Sequence, residues 1–229
     1  MVRLDNYNLW QFEQFKAHIG DKVLEIGCGL GNLTKYIKND IRFLLSVDIK
    51  KEAVELTRSR LPENKNFHIE LLNVFTDGLK KYSKIPFDTI IFSNVLEHIE
   101  DDKGALNKCY KILRKSGGKL LLLVPAHKFL YGTLDKEAGH YRRYNKKEIN
   151  KLAVLTGFKI LKIYYFNIIG ALGWYINYCL LKKVNTNNTQ SSSQISLYDK
   201  FLVKPDRWIE NMINPPFGIS VIAIMEAKK

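Results

Sequence analysis

The sequence predicts an α/β fold, a mostly parallel sheet with helices on both faces. Three observations predict it. Apolar runs of five or six residues alternate with helical stretches, a glycine cluster follows the first run, and turn residues close the others. Short, almost wholly apolar strands suit a sheet covered on both sides, and helical crossovers between them make neighbours parallel. Right-handed crossovers then bring the strand C-termini to one edge, where ligands of open α/β sheets bind.

The elements follow in order. Leu9, Trp10, Phe12, Phe15 and Ile19 fall near helical spacing and predict a first helix over 7–19. The run 22–26 is the first strand, closed by Gly27, Gly29 and Gly31, and a helix begins at 33–38. A second strand, 43–48, ends in Asp48 and is followed by a helix over 50–60. Strands are predicted at 67–72 and 87–92, then helical sequence through Leu113, then a fifth strand, 119–124, stopped by Pro125. Residues 126–145 mix Gly, His, Tyr and Arg without a period, which predicts a lid over the sheet edge. A helix over 146–155 stops at Gly157, a sixth strand spans 158–166, and the last strand spans 219–226. Between those strands, 167–213 reads as a helical insertion, with helices near 168–181 and 197–212 and a flexible polar linker, NTNNTQSSSQ, at 185–194.

A length of 229 residues suits one domain, 1–229, and 46% hydrophobic content excludes a disordered polymer. Cys28, Cys109 and Cys179 are odd in number and far apart, so they form neither a disulfide framework nor a metal-ligand pattern. The cysteine usage and an N-terminus without an apolar run predict a cytoplasmic protein. The net charge of +13 is concentrated: residues 103–162 hold 15 basic and 3 acidic residues. That stretch is either a surface for an anionic partner or a solvated basic face.

The loop Glu25-Ile26-Gly27-Cys28-Gly29-Leu30-Gly31 joins a strand to a helix, where glycines let backbone N–H groups approach a ligand. A dinucleotide fingerprint needs a third glycine at position 32, which is Asn32. Glu25 would oppose a pyrophosphate and suits a ligand with a cationic amino acid end. Asp48 suits ribose hydroxyls with either ligand.

The segments VLEIGCGLGNLT (23–34), SVDIK (46–50), Asn73-Val74 and FDTIIFSNVLEHIEDD (87–102) resemble the successive motifs of class I S-adenosylmethionine (SAM)-dependent methyltransferases. YNLWQFEQF, LYGTLDKEAGHYRRYNKKEI and PPFGISVIAI are similar to a bacterial subgroup often found alongside glycosyltransferases of surface polysaccharide or lipid-linked sugar assembly. The resemblance implies a Rossmann-like seven-stranded sheet with an antiparallel last strand, SAM as cofactor and S-adenosylhomocysteine as product. Carried over residue by residue, Glu25, Gly27, Cys28, Gly29 and Gly31 would wrap the methionine end. Asp48 would hold the ribose, and Ile49, Asn73 and Val74 would meet the adenine. Ser93, Asn94 and Val95 would floor the site near the sulfonium. Tyr7 and Trp10 either cap the cofactor or pack the first helix.

Methyl transfer from a sulfonium is an in-line displacement that requires positioning and no metal. For a hydroxyl acceptor a general base adds rate, and His140, with Asp135 five residues earlier, is the first candidate, ahead of His127 and His98. Arg142, Arg143 and Tyr144 are the candidate substrate residues, because guanidinium pairs with phosphate or carboxylate. Locking of the lid by the same side chains is the structural alternative. The expected activity is O-methylation of a sugar, lipid-linked or other small-molecule acceptor. RNA methylation and a SAM-binding scaffold without turnover are the rivals, although no RNA-binding appendage is recognisable. NPPF (214–217) matches a base-methylating tetrapeptide out of place and reads as a rigid turn. The uncharged run 163–181 is a pocket wall, a helix lying on an anionic inner membrane face, or a span.

Overall fold

The computed structural model of the chain describes residues 4–39, 41–76, 78–182, 196–213 and 215–228. The polar linker at 185–194 and Asn214 lie outside the described residues. Seven strands form one sheet: β1 (Lys22–Ile26), β2 (Phe43–Asp48), β3 (Phe67–Leu71), β4 (Thr89–Ser93), β5 (Lys119–Pro125), β6 (Phe158–Phe166) and β7 (Ser220–Ala227), in the order β3-β2-β1-β4-β5-β7-β6. Strands β1 to β5 pair in parallel, and β7 lies antiparallel between β5 and β6. The expected seven strands and the antiparallel last one are both present.

Each face carries its own core, because successive side chains of a strand point to opposite sides. On one face, Leu24, Leu45, Ile90, Leu122 and Ala223 pack under α4 (Asp102–Leu113) and α6 (Lys146–Thr156). On the other, Val23, Leu44, Ile91, Leu121 and Ile222 pack under α1 (Asp5–Lys16), α2 (Thr34–Ile37) and α3 (Lys51–Arg60). The capping signals act as their chemistry requires. Asn145 and Glu148 close a reciprocal capping box at the start of α6, and Gly157 ends that helix in the left-handed region at φ 85°.

Tyr7 and Trp10 pack the first helix onto the end of β6 and the insertion. The Trp10 ring lies 4.2 Å from that of Phe166 at the end of β6, and the Tyr7 N–H donates to Asp199.

Residues 126–145 are more ordered than a periodless sequence suggests. They contain a short 3₁₀ turn and α5 (Thr133–Ala138), and they return to the sheet through a bridge between Ala126 and Tyr144. Residues 163–166 complete β6, as expected, and α7 (Ile168–Trp174) continues as a π-helical stretch to Leu180. A second insertion helix, α8 (Val203–Met212), presents Asp206 and Glu210 to the free N–H groups of Ile169 and Ile168 at the start of α7. Among the described residues no helix is long and apolar enough to cross a membrane.

Candidate active site

Strand β1 is followed on one side by β2 and on the other by β4, so the chain reverses its direction of winding at β1 and opens a crevice beyond its C-terminus. The glycine loop fills that position. Gly27 has φ 80°, and a Cβ there would meet the Val95 Cγ2 at 2.3 Å, so the loop after β4 can close onto it only if position 27 is glycine. Gly29, at φ 53°, has nothing within 4 Å of where a Cβ would stand. Open space above a left-handed glycine is a cradle that any side chain would occupy. The Gly29 N–H donates to Asp48 Oδ2 at 2.9 Å, and the Lys50 N–H donates to Oδ1 at 2.9 Å. Two backbone donors thus aim the carboxylate at the end of β2, and Ile49 beside it is 67% exposed.

Glu25 lies beneath this loop with 3% exposure. Its Oε2 accepts from the hydroxyls of Thr34 and Ser46, both at 2.7 Å. Burial raises its carboxyl to about 6 despite those two donors. Ser46 stands opposite Glu25 in the β1–β2 register. It is a polar residue in an apolar strand two positions before Asp48, a period-2 signal that marks the partner. Thr57 supports the loop from α3, its hydroxyl donating to the Gly29 carbonyl at 2.8 Å.

The remaining cofactor candidates line the neighbouring strand ends. The Asn73 side-chain oxygen accepts from the Phe75 N–H, which shapes the turn after β3, and Val74 is buried. Ser93, Asn94 and Val95 continue from β4, with Asn94 in the left-handed region at φ 54° and its N–H tied to the Leu123 carbonyl of β5. A strained non-glycine residue at the edge of an open strand end is a common mark of a working site. Cys28 is buried, and burial pushes its thiol up to about 12, so it is an inert part of the loop wall.

The acceptor-side candidates meet on the lid. His140 Nδ1 lies 2.7 Å from Asp135 Oδ1, and Asp135 also accepts from Arg143 Nε at 2.9 Å and from the Gly132 N–H at 2.9 Å. Those donors hold the Asp135 carboxyl below the usual range although it is buried. His140 therefore has one nitrogen committed and presents Nε2 toward Glu97, whose Oε1 is 4.0 Å away. Glu97 is fully buried and neither of its oxygens has a hydrogen-bond partner. Burial raises its carboxyl to about 8, outweighing the opposing charge of Arg143.

The three expected substrate residues differ in exposure and partners. Arg143 is 2% exposed, donates to the Ala126 carbonyl as well as to Asp135, and lies over the Trp174 ring at 4.7 Å. Tyr144 is buried, with its hydroxyl 3.1 Å from Asp102 Oδ2. Arg143 braces the lid internally and against the insertion, and Tyr144 ties it to α4. Arg142 pairs with Asp102 at 2.8 Å and with the Glu100 carbonyl, and its side chain keeps 30% exposure. His127 packs against Tyr165, ring centroids 4.4 Å apart. His98 packs edge-on against His140, 4.6 Å between centroids. Glu97 was absent from the sequence expectations; its place directly before His98, after a strand end, was the available signal.

Residues 24–120 match a family model described as a methyltransferase domain. The ubiquinone biosynthesis O-methyltransferase of Coxiella burnetii is 22% identical over 160 residues, covering 63% of this chain and 66% of that protein. The Dictyostelium discoideum protein named "Probable polyketide synthase 42" is 28% identical over 129 residues, covering 48% of this chain and 5% of the synthase. The chain thus spans less than two thirds of the length of these relatives. A SAM-dependent methyltransferase from Archaeoglobus fulgidus superposes with a TM-score of 0.64 at 17% identity, covering 98% of this chain and 94% of that one. Residues 24–120 are thus similar to a methyltransferase domain, and the seven-stranded sheet has the fold of the Archaeoglobus methyltransferase.

Proposed function

We propose that the chain transfers the methyl group of SAM to an oxygen of a small-molecule acceptor, with a sugar or lipid-linked intermediate as the favoured class. The cradle above Gly29, pinned to Asp48 across the crevice, is the observation that carries this reading. It fits a nucleoside bearing an amino acid end. The glycine backbone admits close approach, Asp48 offers lone pairs to ribose hydroxyls, Ile49 gives an apolar surface beside them, and Glu25 supplies negative charge below the loop.

When bound, SAM supplies an electrophilic methyl on a cationic sulfur. Asn73 and Val74 shape the adenine end of the pocket, and Ser93, Asn94 and Val95 form its floor. His140, fixed by Asp135, acts on the acceptor oxygen. Arg143 and Tyr144 keep the lid in place, while Arg142 offers its exposed edge to an anionic group of the acceptor. The Coxiella relative's name supports an oxygen acceptor. A lipid-linked acceptor is supported by the insertion, where Leu172, Ile176, Leu180, Phe201 and Trp208 are all exposed and Lys182 and Lys200 lie close by in sequence.

Calorimetry tests the cofactor reading: SAM binds, NAD does not, and Asp48→Ala abolishes SAM binding. Labelled SAM incubated with cell extract tests turnover. Transfer into an organic-extractable product supports a lipid-linked acceptor, transfer into RNA replaces it with a nucleic-acid substrate, and binding without any transfer favours a scaffold.

A further inference from the structure

The 3₁₀ turn Leu96–His98 places Glu97 at the rim of the crevice with no solvent exposure and no hydrogen-bond partner for either oxygen. Native interiors leave few polar atoms so, and a carboxylate there needs a cation or a donor. Two imidazoles adjoin it. One nitrogen of His140 is held by the Asp135 carboxylate at 2.7 Å, and the ring of His98 is hydrogen-bonded to the Gly139 backbone. Each imidazole therefore has one nitrogen oriented by an outer acceptor and the other left over. One ligand atom from each of Glu97, His98 and His140 lies within 4.8 Å of the others. Ligands at right angles on an ion with bonds of about 2.1 Å stand roughly 3 Å apart, so small side-chain rotations close the set.

We propose that Glu97, His98 and His140 bind a divalent first-row transition ion. Two imidazoles, one carboxylate and open positions form a known donor set for such ions, and outer acceptors on both histidines are what a built site requires. His98 is exposed, so the ion has an entry path and a free side. This role deepens the methyl-transfer reading, since an ion there polarises an acceptor oxygen. Ion binding itself does not depend on that reading. His140 would then act on the acceptor through the ion, which would lower the pKa of the acceptor hydroxyl so that its proton passes to solvent on the open side as the oxygen takes the methyl group from sulfur.

The test uses the full chain, stripped with chelator and titrated with Co²⁺ and Mn²⁺, with SAM affinity measured in parallel. The expected result is a single site with a visible Co²⁺ absorption band. Glu97→Gln and His98→Gln each weaken it by about 100-fold or more while SAM affinity stays unchanged. Glu97→Gln keeps the buried volume, so its fold is secure; the unchanged SAM affinity verifies this. No Co²⁺ band, or equal binding by both variants, overturns the proposal and returns His140 to the role of direct base. Ion binding without SAM binding would instead sink the methyl-transfer reading and leave the metal site standing.

Discussion

Gly29 and Glu25 show how single residues shape the crevice beyond β1. Gly29→Val fills the open space and puts a β-branched side chain in a left-handed conformation. SAM binding measured by calorimetry is expected to vanish, while the variant still unfolds cooperatively. Glu25 makes a prediction about pH. Folding raises its carboxyl from 4.5 to about 6, so the folded state binds the proton more tightly than the unfolded chain between those values. Its contribution to stability is therefore most favourable below about 4.5 and declines as pH rises to about 6, by about 2 kcal/mol in total. Glu25→Gln should remove that decline from urea-unfolding free energies of the ligand-free protein. An unchanged pH profile would show that Glu25 is not the group responsible. The residues at this scale were legible in order: Gly27, Gly29, Asp48 and Ser93 stand at strand ends that the alternation already marks. The lid was less legible. Arg142 and Tyr144 both reach Asp102 while Arg143 between them turns to Asp135, a division that no repeating period in the chain there announces.

Elements are held by caps and by acids facing helix ends. Asn145 accepts from the Glu148 N–H at 2.9 Å, and Glu148 returns the bond to the Asn145 N–H at 3.0 Å. Asn145→Ala should lower the unfolding free energy by about 1 kcal/mol, read from the denaturation midpoint at constant slope. The lid depends on a buried pair. Arg143→Ala removes the guanidinium from Asp135, Ala126 and Trp174 together, leaving a buried carboxylate with fewer donors. A loss of about 3 to 5 kcal/mol is expected. A loss below about 1 kcal/mol in thermal and urea unfolding would show that the lid does not need the pair. The boundaries of α6 and β6 were readable because Asn145, Gly157 and the apolar run between turns each act locally. The helix inside the lid was not, since α5 has only six residues and is held by Asp135 turning back to the Gly132 N–H.

At the scale of the molecule, the insertion of α7 and α8 leans on the lid and leaves an apolar surface outward. The Trp174 indole donates to the Leu130 carbonyl at 2.9 Å, so lid and insertion are one packed unit. If that surface meets a bilayer, the protein will float with vesicles rich in phosphatidylglycerol and remain behind with neutral phosphatidylcholine. Trp208→Ser combined with Phe201→Ser should abolish flotation without altering SAM affinity. Equal recovery with both vesicle types would remove the electrostatic part of the reading, and no flotation would remove the membrane reading.

What the sequence by itself determined was the alternation of strands and helices, the glycine loop and the carboxylate after the second strand. Each is local, written in periodicity and turn chemistry within a dozen residues. Only the tertiary structure decided which polar residues share a site. Asp135 and His140 sit five residues apart on the lid, whereas Glu97 follows β4, and its approach to them depends on how the lid folds back over that strand end. Sequence spacing carries no record of that approach, because a side chain's neighbours across a crevice are set by packing of whole elements and not by the chain's local conformation.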